Sequence, residues 1–172
     1  MATTAADLPL EALIPDLPVV RTYLSIPGIQ GDATARGHEG WIEVHSFAWA
    51  VSRGTEIRDG GGGRSRSIPS ASPLRVRAVL DSSGPLLFDA VTRGRSFASA
   101  VLETSQENGP VVLSYELVHI LVSSYQLASV AAMPVQTFDV TAERMTFTYR
   151  RPADDGSTGT GVSQTWDVGR EH

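Results

Sequence analysis

The chain has 172 residues, 41% of them apolar and 19% charged, which suits one globular domain with a core of its own. Its 14 basic and 19 acidic residues leave a net charge of −5, the wrong sign for a surface that neutralises nucleic-acid phosphates or anionic lipid. It has no cysteine, and every basic residue is arginine. Disulfide scaffolds, thiolate chemistry, Schiff bases and a phosphate-loop lysine are therefore excluded.

Residues 1–19 are small, acidic and interrupted by Pro9, Pro15 and Pro18. They form an N-terminal extension, read as a flexible arm, with a docking arm for a neighbouring subunit as the alternative. The run has no basic start, so it does not have the pattern of a signal peptide. No stretch approaches the length of about 20 apolar residues that a membrane span needs.

Residues 20–172 carry the pattern of strands. Tyr23 to Ile26 is a short apolar run ending at the turn dipeptide Pro27-Gly28. Gln30 to Gly40 is a polar loop. Trp41 to Val51 alternates, yet both of its sides carry large apolar groups, which predicts a strand covered on both faces along part of its length. Ser52 to Pro73 holds Gly60, Gly61, Gly62 and Gly63 and predicts a long surface loop. Leu74 to Leu80 alternates again, with Arg75 and Arg77 outward.

Asp81-Ser82-Ser83-Gly84-Pro85 is a helix start that places Pro85 at the first helical position. Leu86, Leu87, Ala90 and Val91 follow at helical spacing, and Gly94 is the expected C-terminal cap. Phe97, Ala98, Val101 and Leu102 would extend the helical stripe. However, Glu107-Asn108-Gly109 is a hairpin signal and requires a strand before it, so Phe97 to Thr104 is assigned to strand. Val111 to Val130 and Val135 to Arg150 predict two long strands. Val162 to Val168 predicts a closing strand with Val162, Trp166 and Val168 on one face. The fold class is mainly β: a β-barrel or sandwich with one short α-helix packed on it.

No catalytic constellation emerges. His45 and His119 could meet across strands beside Glu43 or Glu116 and hold a metal, but isolated histidines on strands are mostly structural. No G-x-S-x-G elbow or phosphate loop is present, and Asp154-Asp155 reads as a solvated turn. No catalytic residue, cofactor or metal is expected.

Several segments, in order, resemble the haemolysin-coregulated protein (Hcp) family, the tube protein of type VI secretion systems. They are Tyr23–Gly31 (YLSIPGIQG), Gly37–Val44 (GHEGWIEV), Phe47-Ala48-Trp49, Asp81–Leu87 (DSSGPLL), Leu117–Tyr125 (LVHILVSSY) and Val135–Tyr149. The resemblance covers about Val20 to Val168. It implies a β-barrel of two sheets with one short α-helix packed on the side, like that of phage tail tubes, homohexameric rings that stack into a hollow tube, and effector proteins in the lumen with sheath and spike proteins as further partners. It also implies assembly in the cytoplasm and secretion without a cleaved signal peptide. By the same resemblance, the loop carrying Arg58, Gly60, Gly61, Gly62, Gly63, Arg64 and Arg66 contacts the next ring, where its arginines could pair with Glu39 or Asp154. A ring-forming secreted carrier that does not stack, and a small β-barrel hydrolase, are the alternatives.

Overall fold

A computed structural model describes residues 19–54, 69–107, 109–153 and 157–168. Among them are ten strands: β1 (Val20–Ser25), β2 (Ile42–Val44), β3 (Ser46–Ala48), β4 (Val51–Arg53), β5 (Pro69–Ala71), β6 (Leu74–Val79), β7 (Ser96–Gln106), β8 (Val111–Val130), β9 (Met133–Tyr149) and β10 (Val162–Asp167). One helix, α1 (Ser83–Arg93), separates β6 from β7. Residues 1–18 of the expected extension and residues 55–68 of the expected loop lie outside the described residues.

Eight strands form one antiparallel sheet in the order β2-β1-β7-β8-β9-β6-β3, with β10 also paired to β9. The two terminal strands of that order, β2 and β3, are successive pieces of chain separated by His45 alone. The His45 N–H donates to the Arg77 carbonyl at 2.8 Å, so the chain steps from the β1 edge directly onto the β6 edge. The sheet thereby curls into a nearly closed barrel. Its two expected sheets are the two halves of this ribbon, and they share β8 and β9. The first half of β9 pairs with β6, and its second half pairs with β10. A register shift in β8 between Val122 and Ser124 marks the bend.

The step at His45 corrects the reading of Trp41 to Val51. Ile42 and Val44 are buried before it, whereas Phe47 and Trp49 pack on the core after it. The inward parity flips, so both sides of the sequence look apolar although neither β2 nor β3 is covered on both faces. A similar change separates buried Phe97 from buried Ala100 and Leu102, which produced the helix-like spacing in β7.

The core gathers Leu24, Ile42, Val76, Leu102, Leu117, Ile120, Phe138 and the helical Leu87 and Ala90. Each large apolar side chain fully buried here contributes about 1.5–3 kcal/mol. Helix α1 starts two residues before the expected position, at Ser83, which places Pro85 within the first turn. Its missing N–H is still no loss there, since the first-turn donors have no intrahelical acceptor. At the other end Gly94 adopts φ 62°. The Gly94 N–H donates to Val91 and the Arg95 N–H to Ala90, a Schellman cap. The last strand also departs from expectation. Among the described residues β10 pairs with β9 alone and does not close the barrel; Val162 stays exposed and Trp166 half-buried.

Candidate assembly surfaces

The loop and the helix start that carry two of the sequence motifs are bonded to each other. The Asp32 N–H donates to Asp81 Oδ2 at 3.3 Å, and the Ser82 N–H donates to Asp32 Oδ2 at 3.1 Å. Ser82 thereby holds the Asp32 carboxyl below the usual carboxylate range. A side chain at Gly31 would meet the Trp41 carbonyl and the Asp81 carboxylate, so only glycine fits. Beneath this junction Gln136 is fully buried, and its Nε2 donates to Asp81 Oδ1 at 3.0 Å and to Ser83 Oγ at 3.1 Å. The motifs are explained by this polar junction, which fixes α1 on the barrel.

A charged hollow of about 540 Å³ is lined by Arg21, Tyr23, Arg36, His38, Glu43 and Glu107 among others. Its charges are largely used internally. Arg21 binds Glu43 at 2.9 Å and Glu107 at 3.5 Å, and these carboxylates raise its pKa. His38 is buried, stacks on Tyr23 at 4.4 Å and hydrogen-bonds Glu103 at 2.9 Å. His45 and His119 are not brought together. His119 instead pairs with Glu143 at 3.0 Å on the surface. Among the described residues no group of three His, Asp or Glu could hold a metal, and no helix is long and apolar enough to cross a membrane.

The candidate stacking residues Arg58, Gly60, Gly61, Gly62, Gly63, Arg64 and Arg66 lie outside the described residues, as does Asp154. The ends of the expected loop Ser52 to Pro73 are strand instead, because their backbones pair with each other. β4 and β5 form a separate two-stranded ribbon with Val51 opposite Ala71 and Arg53 opposite Pro69. Glu39, the other expected ion partner, accepts the Gly37 N–H at 2.9 Å.

Two apolar surfaces escaped the sequence reading. The first is the tip of the β8–β9 hairpin. Every residue from Gln126 to Pro134 is exposed, including Leu127, Val130 and Met133. The sequence carries no Asp, Glu or Arg between Glu116 and Asp139, a signal that could have revealed it. The second is a shelf at the other end of the same ribbon. There Tyr149 pairs with both Leu113 and Val162, and Phe147 stacks on Tyr115 at 5.0 Å. Phe147, Tyr149 and Val162 continue the core face outward, where they are exposed. The opposite face of β9–β10 is polar and self-satisfied. Thr146 bonds Thr165, Thr148 bonds Ser163, and Arg144 pairs with Asp167.

These features define a small, mainly β barrel with one packed helix. The family model described as "Type VI secretion system effector, Hcp" matches residues 23–151, and the chain belongs to the Hcp family. That family consists of structural, secreted tube proteins and not of enzymes. A solved type six secretion system protein is 26% identical, with TM-score 0.81 over 87% of this chain and 96% of that one. Hcp1 from Salmonella typhimurium is 20% identical, with TM-score 0.71 over 88% and 96%. A type VI secretion system effector from Yersinia pestis is 16% identical, with TM-score 0.68 over 86% and 99%. No curated protein matches the chain.

Proposed function

We propose that this chain is a tube subunit of a type VI secretion system. It assembles in the cytoplasm into homohexameric rings. The rings stack head to tail into a hollow tube that leaves the cell without a cleaved signal peptide, with effector proteins in its lumen and sheath and spike proteins as partners. The observation that carries this reading is the family match spanning β1 to the end of β9. The open apolar surfaces support it, since exposed apolar groups clustered on a monomer mark sites of association. The loop with Arg58, Arg64 and Arg66 is proposed to contact the next ring.

Light scattering on the purified protein, followed by negative-stain electron microscopy of the same sample, tests the reading. The expected result is a mass of about six subunits with ring-shaped particles, some of them stacked. Rings that never stack, even at high concentration, favour the carrier alternative. A monomer at every concentration removes both.

A further inference from the structure

The border at which the barrel closes is only partly filled. β2 reaches β1 at Thr22, Tyr23 and Leu24, and β3 reaches β6 at Arg75, Val76 and Arg77. Among the described residues, Val20 of β1 and Val79 of β6 have no strand beside them on that border. The Glu107 N–H donates to the Val19 carbonyl on the β7 side, and the Leu80 N–H to the Pro134 carbonyl on the β9 side. Successive residues of a strand turn their backbone groups to opposite edges, so the N–H groups of Val20 and Val79 face the open border.

A groove of about 710 Å³ lies along this border. Buried Ala33 and Val44 line it, while Val19, Val20 and Val79 in its wall stand 62%, 50% and 49% exposed. Its charged side chains are engaged within the chain. Glu43 accepts from Arg21, Asp32 accepts the Ser82 N–H, and Asp81 accepts the Ser83 N–H at 3.0 Å. The groove therefore offers apolar walls and open backbone rather than a charge to pair. An unfilled strand border of this kind is a site for a further length of extended chain.

One occupant begins inside the groove. Residues 1–18 run directly into Val19, which is part of the wall. They hold Leu8, Leu10, Leu13, Ile14 and Leu17. The five steps from Val19 back to Ile14 span up to about 17 Å, enough to cross a groove of this size. Pro15 and Pro18, which lack an N–H, suit a piece of chain that borders a sheet on one side. Leu17 and Asp16 point to opposite faces of an extended chain, so Leu17 can enter the groove with Asp16 in water. Attachment also raises the effective concentration of the segment to about millimolar, so a contact too weak to hold a free partner suffices. A second molecule has no such advantage, and a net charge of −5 on each copy opposes its approach.

We propose that residues 8–17 fold back into this groove of their own chain and set Leu13, Ile14 and Leu17 against Val20, Val44 and Val79. The contact fills the gap in the closing border, and it is independent of whether the chain forms rings.

The cysteine-free sequence makes a direct test available, because any disulfide joins only introduced thiols. The double variant Ile14→Cys, Val79→Cys is mildly oxidised beside an Ile14→Cys, Glu107→Cys control. Glu107 is bonded to Val19 from the β7 side, so the control thiol lies equally near the start of the segment but away from the groove. A disulfide requires Cα atoms within about 7 Å. The expected result is a link within one chain, read as a faster-migrating monomer on a non-reducing gel, that forms at least tenfold faster than in the control. Equal rates would mean that the segment has no seat in the groove and would overturn the proposal. Linked dimers would put the segment on a second copy and would overturn it as well.

Leu13→Asp combined with Ile14→Asp supplies a second measurement and leaves every residue of the barrel in place. Amide hydrogen exchange at Val20 and Val79 is expected to quicken at least tenfold in this variant, with exchange along the β8–β9 pair unchanged. The same exchange at Val20 and Val79 in variant and wild type overturns the inference.

Discussion

Asp139 accepts two hydrogen bonds from the Arg75 guanidinium across the β6–β9 pair, at 2.8 and 3.0 Å, and a third from Ser124 Oγ at 2.9 Å. The Arg75 guanidinium holds the Asp139 carboxyl below its usual range, against the opposing effect of burial. Arg75 is itself two-thirds exposed, with 67% of its side chain accessible. Solvent therefore screens the ion pair, and the directed bonds to the carboxylate carry most of the effect. A carboxyl whose folded pKa is depressed stabilises fully above the unfolded value of about 3.9, and that contribution is lost as pH falls through the folded value. Asp139→Asn is expected to cost about 1–2 kcal/mol in urea unfolding at neutral pH, with the difference shrinking below about pH 4. A gap independent of pH down to acid unfolding would show that ionisation is irrelevant there. The outward aim of Arg75 was legible in the alternation of Leu74 to Leu80. Its partner was not, because Asp139 lies 64 positions away and only the β6–β9 register joins them.

Hairpins show the same contrast between local and distant information. The turn at Glu107 to Gly109 announced itself through residue types suited to tight turns, and β7 and β8 flank it as expected. The turn joining β8 to β9 did not, because Ala131 and Ala132 occupy a left-handed conformation that alanine disfavours by about 1–2 kcal/mol per residue. The chain was readable there only as a gap between two strands. Ala131→Asn with Ala132→Gly supplies the residues this turn geometry prefers and is expected to stabilise the protein by about 1–2 kcal/mol. Chemical denaturation checks this, and an unchanged or lowered midpoint would mean the turn is held in place by something other than its own backbone. Helix α1 was the most legible element, since its stripe and its Gly94 cap are written within a few consecutive residues.

At the scale of the molecule, the pattern of strands was enough for a barrel or a sandwich, and the order of motifs was enough for the family and, through it, for the barrel. The open tip and shelf were not legible, because exposure depends on which residues the closed sheet leaves uncovered. If these surfaces are covered by other copies, association stabilises only the folded state. The melting temperature should then rise with protein concentration, by about 2–4 °C per tenfold increase. Differential scanning calorimetry over a hundredfold range checks this, and a constant melting temperature would mean that assembly contributes nothing to the fold.

The junction at His45 has a mechanical consequence. Most sheets that curl into a cylinder are held at the final gap by hydrogen bonds, which can open one after another like a zip. Here the gap is spanned by peptide bonds, because β2 and β3 border it from either side and adjoin in the chain. Neither can peel away without dragging the other off the opposite border. Opening of the barrel at this border therefore requires both strands to leave together.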